Sequence, residues 1–129
     1  MSARCLLDVN ALIALLWHSH EHNARVWKWL EAEGKVAVCP ITEIGFLRIS
    51  TQPAFGATVE QARKMLRDWK TAKRPEFIPC DIEVLKAAAP SSGTKTTDFY
   101  LAALAEIYGM KLATLETNVG HAAAFLVPV

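Results

Sequence analysis

Short apolar runs alternate along this chain with longer stretches of helical periodicity. Runs at residues 4–7, 35–39, 76–79 and 111–115, with a weaker one at 124–127, predict strands. Helical signals fall between them. The first lies at residues 11–17, directly after Val9 and Asn10. A second is predicted over residues 21–33, with Gly34 as its stop and Val26, Trp27 and Leu30 on its apolar face, so that Trp29 points elsewhere, under a loop or at an interface. Residues 41–48 open another segment behind the second strand, and residues 53–56 form a Pro/Gly break after it. From residue 58 to 72, Val59, Ala62, Leu66 and Trp69 recur as a buried stripe, and Thr58 with Gln61 makes a capping box. The opposite face is basic: Arg63, Arg67, Lys70 and Arg74 share helical spacing, flanked by Lys64 and Lys73. A solvated surface is the simplest reading of that face, and contact with an acidic partner or a phosphate backbone is the other. The Ser/Gly-rich loop at 90–95 leads into a last helix, with Thr96 or Thr97 as its cap, Asp98 in its first turn and Gly109 as its stop.

Strands alternating with amphipathic helices imply a parallel sheet covered on both faces, because parallel strands need crossover connections that hide both sides. The expected fold is therefore α/β, a three-layer α/β/α domain around a mostly parallel sheet of four or five strands. A chain of 129 residues, 52% hydrophobic, suits one domain spanning residues 1–129, and it shows no internal repeat or linker. Its formal net charge of +1 leaves any polyanion to be held locally. No apolar run reaches the roughly 18 residues of a membrane span, and no signal-peptide pattern opens the chain, so it reads as soluble and cytoplasmic. Cys5, Cys39 and Cys80 lack metal-type spacing and sit beside apolar residues, as buried free thiols do.

Acidic residues change this picture. Asp8, Glu43, Asp98 and Glu116 are far apart in the chain, yet each lies within a few residues of an apolar run's junction with a turn or helix. In open parallel sheets ligands bind beyond the carboxyl ends of the strands, so all four are expected on one edge. Clustered carboxylates repel one another unless protons or cations offset their charge, and hard divalent ions such as Mg²⁺ prefer such oxygen donors. Taken singly, each acid is more simply a helix cap or a strand-end residue. His18, His20 and His22 fall at a helix junction, and no Cys or carboxylate pattern completes a tetrahedral zinc set around them. No GxGxxG or P-loop is present for a nucleotide cofactor, and no Ser-His-Asp or Cys-His arrangement is legible.

Four local strings carry a family resemblance: LLDVNALIAL near the start, ITEIGFLRIS after the second strand, TTDFYLAALA opening a helix, and LATLE after the next strand. In order and spacing, over nearly the whole chain, they resemble the PIN-domain ribonucleases, and within these the VapC toxins of toxin–antitoxin pairs. The resemblance implies a Mg²⁺- or Mn²⁺-dependent endoribonuclease in which Asp8, Glu43 and Asp98 bind metal. Asn10 falls on the family's Asp-x-Asn position, Thr97 on the hydroxyl residue before the third acid, and Thr114 on the helper position before the fourth. These are expected to orient ligands or water. Arg48 is the candidate for substrate phosphate. Glu116 stands where the family usually has Asp, and its extra methylene moves the carboxylate by about 1.5 Å; Asn118 is the candidate to contribute in its place. The resemblance further implies an RNA substrate, a cognate antitoxin and a homodimer, with Trp29 and apolar residues of 43–51 and 58–72 as candidate surfaces. The alternative from another class is a catalytically silent PIN-fold binding module, with Glu116 as the trace of lost activity. A phosphoaspartate mechanism, as in the haloacid dehalogenase phosphatases, would need a second Asp where Asn10 stands.

Overall fold

The computed structural model describes residues 4–33, 35–117 and 119–129. Strands β1 (Cys5–Leu7), β2 (Val36–Val38), β3 (Glu76–Phe77), β4 (Lys111–Thr114) and β5 (Ala124–Leu126) form one sheet in the order β3-β2-β1-β4-β5. Every pairing is parallel. All five predicted strands are present, each shorter than its apolar run. The central strand pairs Leu6 with Ala37 on one side and with Leu112 on the other. Its side chains alternate between faces: Cys5 and Leu7 enter one core and Leu6 the other. Burial on both sides explains why β1 reads as a continuous apolar run.

Helices α1 (Val9–Leu16), α2 (Asn23–Glu33), α3 (Pro40–Ser50) and α4 (Val59–Lys73) cover the first face, where Leu12, Leu15, Val26, Trp29, Phe46, Leu66 and Trp69 surround Leu7 and Val38. Helix α5 (Thr96–Ile107) covers the second, packing Leu101 and Leu104 on Leu6, Leu112 and Ile78. The arrangement is the expected three-layer domain. No described helix is long and apolar enough to cross a membrane.

Local chemistry sets the helix boundaries. Thr58 Oγ1 accepts the Gln61 N–H at 3.0 Å while Gln61 Oε1 accepts the Thr58 N–H at 2.8 Å, so the predicted capping box is present. Within α4, Ala62, Leu66 and Trp69 are buried, but Val59 is 59% exposed, since its place at the first helical position carries it past the packed face. The expectation for α2 needs correcting. Trp29 is a core residue, 5% exposed, with its ring centroid 6.0 Å from that of Phe125, whereas Trp27 is half-buried beneath the Lys73 ammonium. The set Val26, Trp29 and Leu30 has the i, i+3, i+4 spacing of one helix face, which Val26, Trp27 and Leu30 lacks. Trp29 therefore drops out of the interface candidates. Neither Thr96 nor Thr97 caps α5. Lys95 holds that position without capping the helix through its side chain, and the Thr96 hydroxyl donates instead to the Gly93 carbonyl at 2.8 Å. Gly109 does stop α5: at φ +72° it lets the Met110 N–H reach the Ala105 carbonyl at 2.8 Å. Gly34 lies outside the described residues.

Gly45 fixes how α1 and α3 meet. A Cβ at this buried position would stand 2.5 and 2.8 Å from the two methyl groups of Val9, the first residue of α1. Gly45→Ala gains up to about 1 kcal/mol of helix propensity but overpacks a contact whose β-branched partner has little freedom, a cost of roughly 1–3 kcal/mol. Net destabilisation is expected in urea unfolding, and Val9→Ala in the same background is expected to recover part of it.

Candidate active site

Three of the predicted acids follow strand ends, and the fourth, Asp98, lies at the start of a helix. Asp8 immediately follows β1 and is the N-cap of α1, its carboxylate accepting the Ala11 N–H at 2.7 Å. Its own N–H donates to the Ala113 carbonyl at 3.1 Å, which ties the strand end to β4. Glu43 lies in the first turn of α3, just beyond β2, and Asp98 in the first turn of α5. Glu116 follows β4 by two residues. The ends of β1, β2 and β4 thus carry Asp8, Glu43 and Glu116 to the carboxyl edge of the sheet, and the start of α5 brings Asp98 near Asp8 and Glu116.

Their environments differ. Asp8 is 2% exposed, and its pKa is pushed up to about 6. Burial is the main cause, with the charges of Asp98 and Glu116 adding to it and hydrogen bonds from the Thr114 hydroxyl and the Ala11 N–H working the other way. Asp98, half-buried, is also raised, first by burial and then by Glu116, while Lys95 pulls it down. Asp8, Asp98 and Glu116 therefore feel one another's charge.

Thr114 links two of these acids. This buried residue donates its hydroxyl proton to Asp8 and accepts the Glu116 N–H at 2.9 Å. Glu116 itself is exposed. Asn10 and Thr97 lie exposed in the first turns of α1 and α5, and Asn118 is outside the described residues.

Glu43 is engaged differently. Its Oε2 accepts a hydrogen bond from Lys70 Nζ at 2.5 Å, with the two side chains only 19% and 34% exposed respectively. The Lys70 ammonium also stands 5.2 Å from the centre of the Phe77 ring. Both residues line a groove of about 510 Å³ between α3 and α4, floored by Pro40, Ile44, Leu47 and Leu66 and edged by Arg63 and Arg67. Arg48 is exposed in the last turn of α3 and is not among the residues lining this groove. Lys70 was visible in the sequence only as one member of the basic series on α4. Its pairing with an acid 27 residues earlier had no local signal.

The donor chemistry suits a hard divalent cation: carboxylate oxygens brought to one edge, one of them deeply buried and disfavoured as an anion. Among the described residues, no three acids are already placed to enclose an ion as they stand. Glu43, turned to Lys70, is the acid whose carboxylate is already neutralised by a neighbour.

Because the pKa of Asp8 is higher in the fold than the ordinary 3.8, its charge opposes folding above the raised value and has no effect below the ordinary one. Asp8→Asn keeps an oxygen for the Ala11 N–H and removes that charge. In EDTA it is expected to stabilise the protein at pH 7 by roughly 2–3 kcal/mol, a gain that fades between pH 6 and pH 4. Urea unfolding at both pH values checks this, and equal gains at the two would contradict it.

The PIN domain family model matches residues 5–124. Ribonuclease VapC38 of Mycobacterium tuberculosis (strain ATCC 25618 / H37Rv) is 37% identical over 123 residues, covering 88% of this chain and 86% of that protein. Ribonuclease VapC39 of Mycobacterium tuberculosis (strain CDC 1551 / Oshkosh) is 33% identical over 129 residues, covering 92% and 93%. Among solved structures, FitAB bound to an IR36 DNA fragment matches with a TM-score of 0.66 at 22% identity, covering 92% of this chain and 90% of that one. VapBC2 from Rickettsia felis, bound to a DNA fragment from their promoter, matches with a TM-score of 0.59 at 13% identity, covering 89% of each. The two structures agree with this one in fold. With a family model running from the first strand into the last and relatives sharing a third of its residues, the chain belongs to the PIN-domain family, alongside the VapC ribonucleases.

Proposed function

We propose that this chain is a Mg²⁺- or Mn²⁺-dependent endoribonuclease and the toxin of a type II toxin–antitoxin pair. The observation that carries the reading is Asp8, a buried acid at the carboxyl end of the central strand, held in the field of Asp98 and Glu116. Membership of the family and relatives named as ribonucleases support it.

Asp8 and Asp98 are the main candidates to hold the cation, with Glu43 binding metal or positioning the attacking water and Glu116 supporting from its exposed position. A bound cation would polarise the scissile phosphodiester and lower the pKa of a water molecule. The chain's own contribution is orientation. Two donors, the Thr114 hydroxyl and the Ala11 N–H, fix the direction of the Asp8 carboxylate, and the α1 N-terminus holds it in place. Water then attacks phosphorus and the bond to the leaving ribose oxygen breaks, without a covalent enzyme intermediate. Arg48 in the last turn of α3, and Arg63 and Arg67 at the groove, are the candidate cations for substrate phosphate.

The antitoxin and homodimer surfaces fall to the α3 and α4 segments, where Ile44 and Val59 are 63% and 59% exposed. A stoichiometric complex on co-expression with the protein of an adjacent small gene is the result that supports the pairing.

Cleavage of a mixed panel of structured RNAs by the purified chain tests the nuclease. Cuts are expected with Mg²⁺ or Mn²⁺, and their loss is expected in EDTA and in the Asp8→Asn and Asp98→Asn proteins. Thr114→Val, which removes only an orienting hydroxyl, is expected to lose roughly 10- to 100-fold. Full activity in Asp98→Asn would overturn the assignment. No cutting by the folded protein with either ion would favour the silent binding module.

A further inference from the structure

Lys70 is paired with one of the four acids. Its ion pair with Glu43 joins α4 to the first turn of α3 across 27 residues of sequence, and both side chains are mostly shielded from water. Isolated surface pairs of long, exposed side chains contribute little and shift readily. This pair is different in kind, since the Lys70 ammonium is also placed near the face of Phe77 and the Glu43 backbone N–H is tied to the Cys39 carbonyl at 3.0 Å. Glu43 is also the single acid among the residues lining the α3–α4 groove, which Arg63, Arg67 and Lys70 line with it. Its carboxylate has therefore been drawn to the α4 side, while Asp8, Asp98 and Glu116 act on one another.

We propose that Lys70 is a positioning residue that competes with the divalent cation for Glu43: it neutralises this carboxylate while the site is empty of metal and gives it up when a cation arrives. The inference rests on the reading of the carboxylate edge as a divalent-cation site. The physical reason is exchange of one positive charge for another. A carboxylate cannot keep a close ammonium and also serve a hard cation fully, because the two repel each other and compete for the same oxygens. The pair would thus hold Glu43 in a defined place while the site is empty, and would weaken metal affinity as the cost of doing so.

Mn²⁺ binding to the purified, EDTA-stripped protein, measured by isothermal titration calorimetry, tests this without recourse to cleavage. Freeing the Glu43 carboxylate from its ammonium partner is expected to tighten binding roughly tenfold. Lys70→Met and Lys70→Gln are both expected to show that gain, and Lys70→Arg to bind as the parent does. In a Glu43→Gln background, Lys70→Met is expected to add nothing. Thermal unfolding in EDTA confirms that each variant folds, and the Gln variant serves if Met disturbs α4. Affinity unchanged or weakened in both neutral variants overturns the proposal, as does an equal gain in the Glu43→Gln background, which would mean a mere change of overall charge. Absence of saturable Mn²⁺ binding in the folded parent and in the neutral variants would overturn the cation site itself, and the exchange with it, whereas binding that is indifferent to Lys70 overturns the exchange alone.

Discussion

A carboxylate buried at the end of the central strand is the constraint around which this molecule is arranged. Asp8 is almost fully shielded from water, and its ionised form is correspondingly disfavoured. Hydrogen bonds hold it nonetheless, from the Ala11 N–H and Leu12 N–H at the start of α1, from the Thr114 hydroxyl at the end of β4, and from its own N–H to the Ala113 carbonyl. Each partner comes from an element on which the fold depends. The turn from β1 into α1 is therefore at once a helix cap, a strand-to-strand tie and the centre of the acidic edge, so structural and chemical readings of Asp8 are not alternatives here.

The remaining acids are arranged by how the layers pack. Glu43 reaches the edge because α3 starts there, and α3 lies close to α1 because Gly45 leaves room for Val9. Asp98 arrives from the other layer, on a helix that begins after a 3-10 turn closed by Thr96 and Gly93. Two cores on opposite faces of a thin sheet thus deliver charges to one line. Burial and neighbouring charge raise the pKa values of Asp8 and Asp98, hydroxyl and backbone donors hold Asp8, and an ammonium meets Glu43.

Much of this was legible from residues alone, and the parts that were not share a cause. All five strands, the capping box of α4 and the Gly109 stop depend on neighbours within a few positions, where periodicity and cap chemistry are strong signals. The error at Trp29 came from choosing between two large apolar side chains two positions apart, a choice that helical geometry settles by spacing and that the ring of Phe125, from the far end of the chain, confirms. Thr96 was misread because a hydroxyl before a helix has more than one nearby acceptor or donor, and here it closes the preceding turn.

What the sequence by itself determined was the parallel α/β alternation, the presence of Asp8, Glu43, Asp98 and Glu116 at its junctions, and the family to which that order belongs. Tertiary structure alone decided which of those acids is buried, that Thr114 bridges Asp8 and Glu116, and that Glu43 is bound to Lys70. The division has a physical basis. Strand and helix formation respond to local pattern, whereas burial, charge and hydrogen bonding at the edge arise only when segments separated by tens of residues are packed within a few ångströms.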